Sequence, residues 1–230
     1  MELRGKVVAI TGAYKGLGAA LSEAFAEKGC KLVLGGRNKE ELLTFCQKIE
    51  KTAEAIPIVM DVRNKGDCEQ IIKKAVDEFG RIDILINNAG VWWISDIENV
   101  SKEDVATMFE TNTFGPLWST RAALEVMKKQ ESGCIVNICS TAAVDYKSSH
   151  LLYGASKSAL LGLTGCLAED LKDTGIRIIG FCPGGMKTEL FRHNPERYRD
   201  DFMDPSYVAE YLISFIESDS KEWLVILRRQ

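Results

Sequence analysis

The chain has 230 residues and a formal net charge of −4, with 46% hydrophobic and 27% charged residues. A chain of this size buries roughly 70–75% of its unfolded surface, so a full core needs no disulfide or metal staple. That balance excludes disorder, and the negative charge leaves no global positive field for a phosphate backbone, so no nucleic-acid partner is expected.

Short β-branched runs alternate with stretches of helical period. Strands are expected at residues 6–10, 31–34, 56–61, 82–86, 134–139, 177–182 and 223–227, and helices at 17–28, 39–51, 65–79, 102–129, 151–172 and 205–217. Near-continuous apolar strands separated by helices imply a parallel sheet covered on both faces. The expected architecture is α/β: one doubly wound (Rossmann) domain over residues 1–230, with a seven-stranded parallel sheet. The amino-terminal residues enter a strand pattern at once, without the apolar stretch and cleavage site of a secretory leader. No apolar run is read as approaching the length of a membrane span. Both readings give the expectation of a cytoplasmic protein with no membrane partner.

In such a sheet, ligands bind beyond the carboxyl ends of the strands, so the residues just after each strand are the candidates. The first strand runs into T-G-A-Y-K-G-L-G, residues 11–18. Gly12, Gly16 and Gly18 permit a tight turn and close approach to a pyrophosphate, whose charge the following helix start stabilises. Tyr14, Lys15 and Leu17 lie in the same loop. Glycines after a strand also make plain turns; their place after the first strand of a βαβ series favours a dinucleotide. The second strand ends L-V-L-G-G-R-N, where an NAD site normally carries a ribose-binding acid. Gly36 stands there instead, and Arg37 and Lys15 supply two cations for a 2′-phosphate. The expectation is NADP(H) in preference to NAD(H). Asp61 and Val62 end the third strand, placed for an adenine edge. Asn88, Ala89 and Gly90 follow Asn87 at the end of the fourth.

Tyr153 and Lys157 are four apart on an expected helix and share a face. A free phenol titrates near pH 10, and a nearby ammonium is expected to lower that value. Such a pair alone commonly decorates a helix surface. Ser140, directly after the fifth strand, supplies a hydroxyl at the same edge. Asn112 is a polar residue inside the long helical pattern after the fourth strand; a kink near Gly115 and Pro116 is the other explanation for it. The seven cysteines form no C-x-x-C pair and only two histidines are present, so reduced core thiols are expected and no metal site.

These motifs together resemble the short-chain dehydrogenase/reductase family, in its T-G-x-x-x-G-x-G and Y-x-x-x-K form, over nearly all of the chain. The resemblance implies an NADP(H)-dependent oxidoreductase that moves a hydride between the nicotinamide and a carbonyl or secondary alcohol, of carbonyl or 3-oxoacyl reductase type. Asn112, Ser140, Tyr153 and Lys157 match the family's catalytic tetrad. The implied roles are Tyr153 as acid/base, Ser140 orienting substrate, Lys157 on the ribose and Asn112 supporting a proton relay. Tyr153 and Lys157 thereby also count as cofactor contacts. The family's P-G-x-x-x-T segment matches residues 183–188, implying contacts to the cofactor from Pro183, Gly184, Met186 and Thr188. A short substrate lid is implied around 189–203, where Arg192, Arg197, Arg199 and Phe202 lie. Substrate-facing candidates are Trp92, Trp93, Val144, His150, Met186 and Phe191. Small residues Ser158, Gly162 and Gly165 on one face of the Tyr153 helix permit close approach of another helix, and the family favours homodimers or homotetramers. An NAD-dependent alcohol dehydrogenase would be signalled by a carboxylate at position 36. A non-catalytic cofactor sensor would be signalled by loss of Tyr153 or Lys157.

Overall fold

The computed structural model describes residues 1–146, 150–191, 199–218 and 220–229. Seven strands, β1 (Val7–Thr11), β2 (Lys31–Gly36), β3 (Ala55–Val59), β4 (Ile84–Asn87), β5 (Gly133–Ile138), β6 (Ile176–Pro183) and β7 (Leu224–Leu227), form one parallel sheet in the order β3-β2-β1-β4-β5-β6-β7. Seven α-helices flank it: α1 (Gly16–Glu27), α2 (Lys39–Ile49), α3 (Lys65–Phe79), α4 (Lys102–Phe109), α5 (Gly115–Gln130), α6 (Leu151–Leu171) and α7 (Pro205–Glu217). The expected doubly wound α/β fold is the observed one.

Alternation along each strand divides the core into two layers. Val8 and Ile10 of β1 pack with Phe25 of α1 and Leu212 of α7, while Val7 and Ala9 face the other side with Ile71 of α3 and Met127 of α5. Helix starts are locally encoded. Asn38 accepts from the amides of Glu40 and Glu41, Ser101 and Asp104 form a reciprocal capping box, and Asp204 caps α7 just ahead of Pro205. The chain order reverses between β1 and β4, which opens a crevice at their carboxyl ends.

Two expectations need correction. The helix expected at 102–129 is α4 and α5 joined by a π-helical turn, Glu110–Phe114. Pro116 has no N–H to donate to the Asn112 carbonyl, so regular α-helical bonding breaks at that position. Helix α6 is also long and apolar enough to cross a membrane by length and composition, with a mean hydropathy of 1.2. It is nonetheless an integral layer of this domain, because Thr164 accepts from the Asn137 side chain of β5 and Lys157 is buried against the same strand.

Asp83 fastens the entry of β4 to β1. Its carboxylate, 4% exposed, accepts from the Val7 amide at 2.9 Å and from Arg81 at 2.6 and 2.9 Å, with Lys6 at 3.4 Å. Burial opposes its ionisation, but Arg81, the Val7 amide and Lys6 outweigh that effect and hold the carboxyl below the usual carboxylate range. A depressed acid stabilises the fold above its unfolded value, near pH 4, and loses that contribution as pH falls through the folded value. Asp83→Asn should therefore lower stability at neutral pH by roughly 2–3 kcal/mol. In denaturant titrations the gap between wild type and variant should close below about pH 4; a gap that persists in acid contradicts this role.

Candidate active site

The carboxyl ends of β1 and β4 are clasped by side chains. Thr11 Oγ1 accepts from the amides of Asn88 and Ala89, both at 3.1 Å, and Asn88 Nδ2 donates to the carbonyls of Thr11 and Gly12, both at 2.9 Å. A Cβ on Gly18 would stand 2.0 Å from the Gly12 carbonyl oxygen, and Gly12 takes a φ of +63°, so neither position admits another residue without movement. Helix α1 then starts with no side-chain cap, because Lys15 at its N-cap offers no acceptor. Its first-turn amides remain available for an anion, and Gly16 and Leu17 line a cavity of about 1080 Å³. Thr188 packs over the loop, 3.1 Å from where a Gly16 Cβ would be. An uncapped helix start beneath a cradle without side chains fits a pyrophosphate.

At the end of β2, a Cβ on Gly36 would lie 2.2 Å from the Tyr14 ring, whose hydroxyl accepts from the Asn38 amide at 3.3 Å. Tyr14 thus occupies the space that a carboxylate at position 36 would need. Arg37 lines the cavity. Lys15 also lines it, but its ammonium is held by Glu41 at 2.6 Å and Glu189 at 3.4 Å, and the Glu41 hydrogen bond leads in raising its pKa. Of the two cations expected there, Lys15 is engaged by carboxylates, and Arg37 makes no ion pair among the described residues. Asp61 and Val62 reach the cavity, with the Asp61 carboxylate bonded to Arg63 and its pKa lowered chiefly by that contact.

Beyond β5, Ser140 Oγ accepts from the Ala142 amide at 3.1 Å and caps a 3-10 turn, Thr141–Ala143. Tyr153 and Lys157 project from the first two turns of α6 and are 8% and 4% exposed. Lys157 Nζ donates to the Ile138 carbonyl at 2.7 Å and lies 5.9 Å from the Tyr153 ring centroid. Ser140, Tyr153 and Lys157 all line the one cavity. Burial pushes the Tyr153 phenol up to about 12, against the pull of its hydrogen bond with Ser140, and pushes the Lys157 ammonium down to about 8. The expected lowering of Tyr153 by Lys157 is thus absent from the protein alone, because desolvation dominates both groups.

Asn112 sits apart from the cavity wall. It is fully buried in the π-helical turn, with Oδ1 accepting from the Val91 amide and Nδ2 donating to the Val91 carbonyl, both at 2.9 Å, and Nδ2 reaching Ser156 Oγ at 3.1 Å. Its side chain fixes the segment after Gly90 against α6. Gly90 is the contact point, since a Cβ there would lie 3.3 Å from Asn112 Oδ1 and 3.6 Å from Lys157 Nζ.

On the far side, Trp92, Trp93, His150 and Met186 line the cavity, and Val144 does not. The His150 ring stands edge-on to Trp92 at 5.9 Å and to Tyr153 at 6.1 Å. Pro183 and Gly184 also line the cavity. Phe191 belongs to a 3-10 turn, Glu189–Phe191, but its side chain, like Arg192 and Arg197, lies outside the described residues. Sequence reasoning missed Thr111, Asp145, Arg228 and Arg229 as cavity residues, while Leu190 lies in the expected lid segment. The two arginines directly follow β7, so the strand-end rule that found Ser140 would have found them. Of the small-residue face on α6, Gly165 packs on Trp223 and Ser158 donates to the Ala143 carbonyl, leaving Gly162 with nothing near it. Six cysteines are buried and Cys166 is exposed. Among the described residues no cluster of metal-ligating side chains occurs.

A model of the short chain dehydrogenase family matches residues 6–199. An uncharacterized oxidoreductase of Thermotoga maritima is 42% identical over 190 residues, covering 82% of this chain and 75% of that protein. The solved structure of a short chain dehydrogenase/reductase from Burkholderia phymatum, in complex with NAD, matches with a TM-score of 0.93 at 26% identity, covering 98% of this chain and 90% of that one. L-sorbose reductase from Gluconobacter frateurii, complexed with NADPH and L-sorbose, shares the fold with a TM-score of 0.87 at 24% identity, covering 98% and 97% of the two chains.

The buried ammonium has a measurable consequence for stability. Its folded pKa of about 8 lies below the ordinary lysine value of 10.5, so between those values the unfolded chain binds more protons and stability rises with pH. Relative to Lys157→Met, the wild type should gain on the order of 3 kcal/mol from pH 7 to pH 10.5 in denaturant titrations of the cofactor-free protein. Parallel curves for the two proteins would show that Lys157 is not strained by burial.

Proposed function

The chain belongs to the short-chain dehydrogenase family, and on that premise we propose that this oxidoreductase is an NADP(H)-dependent carbonyl reductase with Tyr153 as its proton donor. The observation that carries the reading is the convergence of Ser140, Tyr153 and Lys157 in the cavity that also contains the glycine loop. The amides at the start of α1 would hold the pyrophosphate, Lys157 the nicotinamide-side ribose, and Pro183, Gly184, Met186 and Thr188 the nicotinamide end. Bound there, the dinucleotide supplies the hydride.

Tyr153 then acts on the substrate oxygen. Its phenol, pushed up to about 12, stays protonated at neutral pH in the protein alone and is poised to donate to a developing alkoxide. The Ser140 hydroxyl donates to the same oxygen, a contribution that grows where water is excluded. Lys157, an ammonium inside the domain, favours the tyrosinate left behind. Asn112 positions the wall after Gly90 and supports the relay that reprotonates Tyr153. NADP(H) preference rests on Arg37 and on Tyr14, whose ring keeps a carboxylate from position 36. A homo-oligomer built on the outward face of α6, where Gly162 and Cys166 are exposed, and a cytoplasmic location go with this reading.

Tyr153→Phe should keep NADPH binding, read by nucleotide fluorescence, while turnover of small ketones and diketones falls by about 10²–10⁴. Arg37→Gln should raise KM for NADPH and leave KM for NADH nearly unchanged. Full activity in Tyr153→Phe removes the mechanism, and equal shifts for both cofactors in Arg37→Gln remove the NADP(H) preference.

A further inference from the structure

The cavity is basic in an acidic protein. Among the described residues it is lined by six basic side chains and by three acidic ones, Asp61, Asp145 and Glu189, although the chain carries −4 overall. Two of the basic groups, Lys15 and Arg37, belong to the cofactor's adenosine end, and Lys157 is catalytic. Arg199, Arg228 and Arg229 remain, and the cofactor does not account for them.

Their place in the sheet sets them apart from any cofactor phosphate. Pro183 of β6 pairs in register with Leu227, and the Gly184 amide donates to the Leu227 carbonyl at 2.9 Å, so Arg228 and Arg229 leave the sheet beside the loop after β6. Strands lie about 4.8 Å apart, which puts the end of β7 about 24 Å from the end of β2, where Arg37 stands, and about 10 Å from the end of β5, where Ser140 stands. The arginines are on the substrate side. Arg199 reaches them from the segment that returns to the same loop, where the Met203 amide donates to the Gly185 carbonyl at 3.0 Å.

Among the described residues the three guanidiniums share two carboxylates. Arg228 donates to Asp145 through Nε and Nη2, at 2.8 Å for the shortest contact. Asp201 accepts from Nε and Nη2 of Arg199, both at 3.1 Å, and also from Nη1 of Arg229. Each guanidinium has five N–H donors in a fork shaped for an oxyanion, so Nη1 of Arg199, Nη1 of Arg228 and Nη2 of Arg229 keep donors that these carboxylates do not use. The inner wall, by contrast, is aromatic, with Trp92, Trp93 and His150 beside Tyr153.

From this we propose that the substrate carries an oxyanion, a carboxylate or a phosphate, within about 10 Å of the reacting carbonyl, and that Arg228, Arg229 and Arg199 receive it. The inference rests on the carbonyl-reductase reading and adds the substrate's charge to it.

The test measures equilibrium binding and turnover separately. Acetoacetate and levulinate are compared with their methyl esters, and hydroxyacetone phosphate with hydroxyacetone, by calorimetric titration of the NADP⁺-saturated protein and by NADPH oxidation. The anionic member of at least one pair should bind about tenfold or more tightly than its neutral partner, and the preference should shrink with added salt. The favoured pair tells a carboxylate from a phosphate. The ratio should fall toward one in Arg228→Gln and in Arg229→Gln, with part of it retained in Arg228→Lys, a pattern that misfolding would not produce. Equal binding of anionic and neutral members, or a ratio unchanged in both glutamine variants, overturns the proposal. If the anion is preferred in binding but no carbonyl compound is reduced, the reductase reading fails and the anion site stands. If esters are reduced as well as acids with no preference in binding, the reverse holds.

Discussion

The buried ammonium of Lys157 is the point on which the site depends. Lys157 carries its ammonium into the interior of an α/β domain, where it donates to a backbone carbonyl, that of Ile138. Burying a charge against a neutral acceptor is costly, and the depressed pKa of about 8 is the signature of that cost. The contact fixes the rest of the site. Ile138 ends β5 two residues before Ser140, and Tyr153 lies one helical turn before Lys157, so the bond that positions the lysine also sets hydroxyl against phenol. Strain concentrated at functional groups is what a fold stabilised elsewhere by two full hydrophobic layers can sustain.

Around that point the sheet separates two tasks by strand position. On the β1, β2 and β4 side, Thr11, Gly12 and Asn88 build a rigid cradle from backbone groups and short side chains, and Tyr14 closes the room at Gly36. On the β6 and β7 side, longer side chains meet at the cavity edge, with ion pairs between residues distant in the chain, such as Arg228 with Asp145. The first region is made to hold one shape of ligand. The second is made of exposed ion pairs at the cavity edge.

Much of this was legible in the sequence where the cause is local. The bounds of α3 and α7 match expectation at both ends; Asn64 and Gly80 mark the two ends of α3, and Asp204 with Pro205 marks the start of α7. The sheet was legible because β-branched apolar runs recur between helical stretches. Other features depend on partners far along the chain. The π-helical turn at Asn112 is held by Val91 and Ser156, so the pattern read as one helix. Lys15 looked like a free cation until Glu189 was brought beside it. The Tyr153 pKa follows from how completely the phenol is enclosed, which spacing alone does not express, whereas Arg228 and Arg229 directly follow an expected strand and were open to the same strand-end reasoning as Ser140.

In the proposed reaction a hydride passes to a carbonyl carbon held between Ser140 and Tyr153. Reduction of a simple ketone with NADPH carrying deuterium at both C4 positions of the nicotinamide, followed by mass spectrometry and NMR of the alcohol, tests this step. Wild-type protein should give one deuterium at the carbinol carbon, and Tyr153→Phe almost no labelled alcohol. Alcohol formed without the label, or label transferred equally well by the phenylalanine variant, would contradict it.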